Sequence, residues 1–459
     1  MNRVRINYND NRQEIDGFGA SGFGFSSKII RYHKYCDDIM TILFDKEKGI
    51  GLSILRNGIG DKGTEESWGG EINGPEKTIE PQDGVWDKNV DDTQIWLMQE
   101  AKKYGCDRFY SIPWSPPAWM KDNNNISRGH LKKDMYQKFA EYLAEYVKIY
   151  KEEFGIDIYA ISPQNEPDTD PGYSSCKYEP EELCTLVRDY IGPEFKKRGL
   201  NTKIIISEAA NFDFDLCEPA ANDPEAMKYI DMFSMHGYWR DPPVKPEKAF
   251  ELGKKVWQTE YCDIFGRDSS ITDGIKWARV IHEHMVTAES SAFFYWYLAH
   301  QYPHNDEPLI HINVDDDTFV VNKRVWTFGN FSKFIRPGFV RVDAETLESD
   351  NIKITSRPDP EVVLPPRDTI KEMFRKADPA AYISAYKNPE NGQLVIVCVN
   401  DTDENVDIET ELLKKGAFEV YRTSEDENLQ KIHDTKAKDG KLSILLRPKS
   451  VTTYVSKEE

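Results

Sequence analysis

The sequence lacks several features that would define its class at once. Its seven cysteines are scattered and form no Cys-x-x-Cys pair, which argues against a disulfide framework and a zinc ribbon. No run of about 18 apolar residues suggests a membrane span. The first twenty residues contain no apolar segment typical of a secretory signal. We therefore expect a cytoplasmic protein, or a secreted one if a leader has been removed.

Positive charge is also scarce, since 59 Lys and Arg stand against 79 Asp and Glu, giving a formal net charge of −20. The phosphates of nucleic acids and anionic membranes would be repelled, so neither is an expected partner. No internal repeat of about 20–50 residues suggests a solenoid or propeller. We expect a monomeric globular chain whose partner carries little charge.

Eight short apolar runs alternate with amphipathic helical stretches such as 135–151, which Gly155 ends. The runs are rich in Ile, Val, Phe, Tyr and Trp, as expected of strands buried on both faces. Eight such units in series predict an α/β fold, a (β/α)8 TIM barrel over residues 15–330. The runs cover residues 15–19, 52–57, 108–114, 158–163, 203–208, 230–236, 256–261 and 292–298.

After residue 330 the pattern changes to short alternating strands separated by turn-forming residues, which predicts an antiparallel β-sandwich. The strand-like residues 3–8 are expected to join it, so the side domain comprises residues 1–14 plus 331–459. Its polar, proline-rich segment 345–378 is interpreted as a loop. Segment 61–92 is long for a barrel loop and is expected to shape one end of a cleft.

Two glutamates follow strand runs on opposite sides of the predicted barrel, Glu166 after the fourth and Glu260 after the seventh. Active sites of such barrels lie at the carboxyl ends of the strands. Retaining glycosidases use two carboxyl groups about 5–5.5 Å apart, one protonated and one ionised. A single glutamate at a strand end is usually only solvated or salt-bridged. Two such glutamates, accompanied by Asn165, Trp114 and Trp296, favour the interpretation that both are catalytic. Glu208, which has no partner in this scheme, is interpreted as structural.

The segments Asn165-Glu166-Pro167 and Thr259-Glu260 resemble the signature pair of the large barrel clan of retaining glycosidases. The wider sequence is similar to glycoside hydrolase family 30, and within it to the bacterial xylanase branch. That resemblance implies a barrel joined to a β-sandwich built from both chain ends. The matching segments are IDGFGASG at 15–22, LSILR at 52–56, WSPPAWMK at 114–121, ISPQNEP at 161–167, FSKFIRPG at 331–338 and SVTTYV at 450–455.

The resemblance also implies roles for individual residues. Glu166 would protonate the leaving oxygen, and Glu260 would attack the anomeric carbon. The implied chemistry needs no cofactor and no metal. Arg56 and Tyr238 would orient Glu260, and Asn165 would hold the sugar 2-OH. Trp114 and Trp296 would form the floor of the −1 subsite. The predicted substrate-binding residues are Arg56, Trp114, Asn165, His236, Tyr238, Trp296 and Tyr302.

The expected substrate is xylan or xylo-oligosaccharide, cleaved at β-1,4-xylosidic bonds. Glucuronate-dependent members of the xylanase branch hold their substrate with an arginine-rich segment after the eighth strand. Here that segment, 297–302, reads YLAHQY, so strong glucuronate dependence is not expected. The alternatives within the family are a β-1,6-glucanase or a β-1,6-galactanase. The alternative from another class is a non-catalytic glycan-binding protein, which usually lacks a catalytic carboxylate.

Overall fold

The structure is a computed structural model, which describes most of the chain. The described residues are 2–61, 77–263, 268–301, 308–350, 352–357, 373–374, 376–413 and 416–457.

Eight parallel strands close into a barrel, which confirms the predicted fold class. Each strand overlaps the apolar run that predicted it. Almost all of their residues are buried, because helices cover the outside of the barrel and side chains fill its interior. The barrel strands are β2 (Gly17–Ser21), β3 (Ile54–Ile59), β4 (Arg108–Pro113), β5 (Ile158–Ile161), β6 (Lys203–Ala209), β7 (Ile230–Met235), β8 (Lys255–Gln258) and β9 (Ala292–Tyr297).

The helix Tyr136–Phe154 covers all but the first residue of the helical stretch read from the sequence and is capped by Gly155. The φ of Gly155 is 67°, the left-handed conformation that glycine adopts most easily at a helix end. The other α-helices of the described residues are Gly24–Arg31, Cys36–Phe44, Asp92–Lys103, Pro180–Thr185, Gly192–Arg198, Glu218–Ala221, Glu247–Glu251, Ile271–Val286 and Lys323–Ser332. Shorter 3-10 turns are Ala118–Met120, Lys133–Met135, Asp215–Cys217 and Ala226–Lys228, and Leu186–Ile191 is a π-helix.

A second sheet lies beside the barrel and contains the N-terminal strand, as predicted. Its strands are β1 (Asn2–Glu14), β13 (Val340–Glu348), β14 (Ile354–Thr355), β15 (Ala381–Lys387), β16 (Leu394–Asn400), β17 (Val406–Glu411), β18 (Gly416–Thr423), β19 (Gln430–Ala437), β20 (Lys441–Leu446) and β21 (Ser450–Ser456). Their order is β19-β18-β21-β16-β15-β13-β1-β17-β20, with β14 paired to β15. The sheet is mixed rather than purely antiparallel, because β1 lies parallel to β17 and β14 lies parallel to β15.

The expected loop 345–378 begins too early, since β13 continues to Glu348 and pairs with β1. A three-stranded sheet that the sequence did not predict follows the barrel and consists of β10 (Ala299–Gln301), β11 (Ile310–Asn313) and β12 (Thr318–Val321). Of the segment expected to shape the cleft, residues 62–76 lie outside the described residues. The limits of the two domains stay a prediction.

Two barrel helices connect the barrel to the second sheet. Ile271–Val286 packs on β15, β16 and β21, and Lys323–Ser332 packs on β18 and β21. At this junction the buried amide of Asn330 donates to the Thr453 hydroxyl at 2.9 Å and accepts from the Thr423 hydroxyl at 2.7 Å. Among the described residues, no helix has both the length and the apolar character needed to cross a bilayer.

Candidate active site

The carboxyl ends of the barrel strands bring together eight of the nine predicted site residues. Tyr302 lies outside the described residues. The others are Arg56 in β3, Trp114 after β4, Asn165 and Glu166 after β5, His236 and Tyr238 after β7, Glu260 after β8, and Trp296 in β9.

Glu166 and Glu260 face each other at the barrel mouth and are both buried. One oxygen of each carboxyl and one ring nitrogen of His236 lie within 4.8 Å of one another. This separation fits the geometry of a retaining glycosidase, in which no water stands between the two carboxyl groups.

Arg56 is fully buried and binds several acceptors at once. Its Nη1 donates to Glu260 Oε2 at 2.6 Å, and its Nη2 donates to Asn165 Oδ1 at 2.7 Å. The Tyr238 hydroxyl donates to the other oxygen of Glu260 at 3.0 Å. Both oxygens of Glu260 are therefore held, and its carboxylate is oriented before any ligand arrives.

Glu208, interpreted from the sequence as a structural residue without a partner in the catalytic scheme, has three buried partners in the structure. Its Oε2 accepts from Arg56 at 3.0 Å and lies 3.2 Å from His236 Nε2, and its Oε1 accepts from Thr259 at 2.6 Å. Burial alone would raise the pKa of Glu208, but the hydrogen bond to His236 and the charge of Arg56 lower it to about 2. Glu208 is therefore a buried anion that stands behind the two facing carboxyls.

His236 lies between Glu166 and Glu208, with Nδ1 3.0 Å from Glu166 Oε1. Burial acts to lower the pKa of His236, but the charge of Glu260 and the hydrogen bonds to Glu166 and Glu208 raise it to about 10. The raised pKa favours the protonated imidazole at neutral pH. Positive charge at the site comes from His236 and Arg56.

The charges of the site balance when one of the facing carboxyls is protonated. Arg56 and His236 supply two positive charges, which Glu208 and Glu260 neutralise. Burial raises the pKa of Glu260, but the charges of His236 and Arg56 oppose that rise, and Tyr238 also donates to its carboxylate. These donors limit the rise, but the pKa of Glu260 stays above its ordinary value because the carboxyl is buried.

Aromatic rings flank Arg56. The Trp114 and Trp296 ring centroids are 5.4 Å apart, and the guanidinium carbon lies 4.9 Å from the first and 5.4 Å from the second. Phe23 packs on Trp114 with centroids 4.4 Å apart. Gly58 makes this possible, because a Cβ there would lie 2.0 Å from the Phe23 ring. These rings form an apolar wall of the kind on which sugars stack.

Tyr173 is a site residue that sequence reasoning missed. It lies on the loop after β5, and its hydroxyl donates to Glu166 Oε2 at 3.0 Å. No strand or helix pattern marks this loop. The only signal was proximity in sequence, since Tyr173 follows Glu166 by seven positions.

The backbone is unusual at two of the site glutamates. Glu166 has φ of 44° and Glu208 has φ of 61°, the left-handed region that residues with a side chain seldom adopt. The Glu166 N–H donates to the Glu208 carbonyl at 3.0 Å and so joins the two strand ends. Both conformations occur at the site, where such strain is often retained for function.

We expect the free energy of unfolding to depend on pH through His236. Its folded pKa of about 10 exceeds the ordinary value of 6.5, so its stabilising contribution is complete below 6.5 and is lost as the pH rises through about 10. Thermal unfolding across this range will show the wild-type protein losing stability with rising pH. His236→Gln will have a flatter profile, and equal slopes for the two proteins would contradict the prediction.

A family model described as O-Glycosyl hydrolase family 30 matches residues 1–237. The chain belongs to glycoside hydrolase family 30. This confirms the family named from the sequence motifs, and the protein is therefore a glycoside hydrolase.

The chain is also similar to individual proteins. The chain is 29% identical to glucuronoxylanase XynC of Bacillus subtilis over 380 residues, 79% of this chain and 77% of that protein. It is 26% identical to the subfamily 8 xylanase Xyn30A of Clostridium acetobutylicum, whose structure matches with a TM-score of 0.76 over 99% of each chain. It is also 25% identical to an endo-beta-1,6-galactanase of Hypocrea rufa over 197 residues, 40% of this chain and 41% of that protein.

Proposed function

We propose that the protein is a retaining hydrolase that cleaves β-1,4-xylosidic bonds in xylan or xylo-oligosaccharides without strong dependence on glucuronate branches. The observation that carries the retaining mechanism is the pair Glu166 and Glu260, whose nearest oxygens lie within 4.8 Å. An inverting enzyme would need a wider gap, because a water molecule must enter between the sugar and the base.

In the first step the Glu260 carboxylate attacks the anomeric carbon, and the bond from that carbon to the glycosidic oxygen breaks. Glu166 gives its proton to the departing oxygen, so the leaving sugar exits as a neutral alcohol. Arg56 and Tyr238 hold Glu260 for the attack. Asn165, which is oriented by Arg56, would hold the sugar 2-OH.

In the second step Glu166 is ionised and accepts a proton from water. The resulting hydroxide equivalent attacks the anomeric carbon, the ester bond to Glu260 breaks, and the sugar is released with its original configuration. Trp114 and Trp296 would contact the sugar in the −1 subsite during both steps.

The choice of xylan rests on the similarity to two xylanases. Glucuronoxylanase XynC and Xyn30A match over 79% and 99% of this chain, whereas the endo-beta-1,6-galactanase matches over 40% of it. The proposal that the protein does not depend strongly on glucuronate rests on β10. This strand consists of Ala299, His300 and Gln301 and contains no arginine that could bind a uronate carboxylate. A β-1,6-galactanase is the second candidate, because an endo-beta-1,6-galactanase is among the relatives of this chain.

A product profile tests the proposal. The protein is incubated separately with glucuronoxylan, linear xylo-oligosaccharides, β-1,6-glucan and β-1,6-galactan, and the products are separated. Comparable cleavage of branched and linear xylan substrates supports the proposal. Cleavage of only a β-1,6 substrate would retain the mechanism and overturn the specificity, and cleavage of none would favour a non-catalytic glycan-binding protein.

Glu166→Ala is expected to lower the rate on natural glycans by about 100-fold or more, because general-acid assistance is lost. Substrates with an activated aryl leaving group will be affected far less in the first step. Added azide will restore turnover, because it attacks the glycosyl-enzyme without needing a base. The product will then be a β-glycosyl azide, detectable by mass spectrometry. Absence of any rescue would argue against Glu166 as the acid/base.

A further inference from the structure

Both oxygens of Glu166 have partners in the free protein. Oε1 lies 3.0 Å from His236 Nδ1, and Oε2 accepts from the Tyr173 hydroxyl at 3.0 Å. The following inference rests on the proposed function, in which Glu166 is the acid/base. Of these two partners, only His236 belonged to the set predicted from the sequence.

The two partners of Glu166 differ in where they lie. His236 is fully buried behind the site, whereas the Tyr173 side chain lies on the open side and is 36% exposed. A glycan must approach Glu166 from the open side. Tyr173 therefore stands where the departing part of the glycan meets the acid.

The loop that carries Tyr173 is fastened immediately after it. The Ser174 hydroxyl donates to the buried carboxyl of Asp61. The Ser175 carbonyl accepts from the ammonium of Lys121 at 2.5 Å, and Lys121 itself is fully buried. These contacts tie the loop to Asp61, which follows β3, and to Lys121, which follows β4. The position of Tyr173 is therefore defined by the surrounding fold.

The direction of the hydrogen bond decides what Tyr173 does chemically. A hydroxyl that donates to Oε2 binds the ionised carboxylate more strongly than the neutral acid. As Glu166 transfers its proton to the glycosidic oxygen, negative charge grows on the carboxyl and the bond from Tyr173 strengthens. An interaction that is stronger in the transition state than in the ground state raises the rate.

We propose that Tyr173 is a positioning residue for Glu166, which orients the acid toward the departing sugar and stabilises the carboxylate formed when the proton leaves. Its contribution is confined to steps in which Glu166 moves a proton. Steps that need no proton transfer do not depend on the Tyr173 hydroxyl.

Tyr173→Phe separates this role from a structural one. The substrates are the natural glycan that the wild-type protein cleaves and a dinitrophenyl glycoside of the same sugar, whose leaving group needs no proton. We expect kcat/KM to fall about tenfold on the glycan and to stay within about twofold on the dinitrophenyl glycoside. The upper limb of the pH–rate profile on the glycan will move to higher pH, because the ionised carboxylate has lost a donor.

Two further variants complete the test. Ser174→Ala releases the loop from Asp61 and is expected to produce the same selective loss on the glycan, to a smaller extent. Tyr32→Phe is the control. Tyr32 directly follows the helix Gly24–Arg31, and its side chain is 68% exposed. Removing its hydroxyl should change the rate on neither substrate.

Equal losses on both substrates would make Tyr173 merely structural and overturn the inference. If the wild-type protein is active and Tyr173→Phe has the same rates on both substrates and the same upper limb of the pH–rate profile, this inference alone is overturned. Failure of the wild-type protein to cleave any glycan would overturn the proposed function and this inference with it.

Discussion

Glu260→Gln will lower kcat/KM by about 10⁴-fold or more while the protein stays folded. The amide has nearly the volume of the carboxylate but is not nucleophilic, so the glycosyl-enzyme cannot form. The amide oxygen of the variant can still accept from Arg56 or Tyr238, and the wild-type distances from Glu260 to those donors are 2.6 Å and 3.0 Å. Activity is measured on the cleaved glycan, and folding by circular dichroism and thermal unfolding.

Glu251→Gln serves as the matched control, since Glu251 is exposed at the end of the helix Glu247–Glu251, away from the strand ends that carry the site. It should retain wild-type activity. A second check traps the intermediate, because a fluorinated sugar substrate with a good leaving group should label Glu260 in the wild-type protein. Retained turnover in Glu260→Gln, or a label on another residue, would remove Glu260 as the nucleophile.

Glu208→Gln will affect both stability and activity. The carboxylate is fully buried between Arg56 and His236, and removing one partner of a buried ion pair leaves the other charges uncompensated. We expect the free energy of unfolding to fall by about 3 kcal/mol. We also expect kcat to fall by about 100-fold, because Arg56 and His236 position Glu260 and Glu166.

Thr259→Val separates charge from hydrogen bonding at the same carboxylate. It removes the 2.6 Å hydrogen bond to Glu208 Oε1 but leaves the negative charge in place. The expected loss of stability is about 1 kcal/mol, with a small effect on kcat. Chemical unfolding and steady-state kinetics compare the two variants. Equal effects from both would mean that the charge of Glu208 contributes nothing.

The barrel was predictable because its strands are short, apolar on both faces and separated by amphipathic helices. The N-terminal strand β1 was also predicted, but its parallel pairing with β17 was not. Strand direction depends on where a distant segment enters the sheet, and no local pattern encodes it. The small sheet of β10–β12 was missed because its strands have only three or four residues each.

The site was predictable where residues follow strand ends, as Glu166 and Glu260 do. The partners of Glu208 were not, because Arg56 lies on β3, across the barrel from β6, and His236 lies in the loop after the neighbouring β7, so the three side chains meet only in the folded barrel. Tyr173 was missed for a different reason. Its hydroxyl reaches Glu166 through a loop whose course depends on contacts with Asp61 and Lys121, far away in sequence.

The place of β1 in the second sheet has a consequence for biosynthesis. β1 lies between β13 and β17, and the Asn2 side chain donates to the Asp407 carbonyl, 405 positions later. β1 is therefore synthesised long before β13 and β17, its partners in the sheet. The barrel strands pair mostly with neighbours in the chain, so the barrel can form before the second sheet is completed.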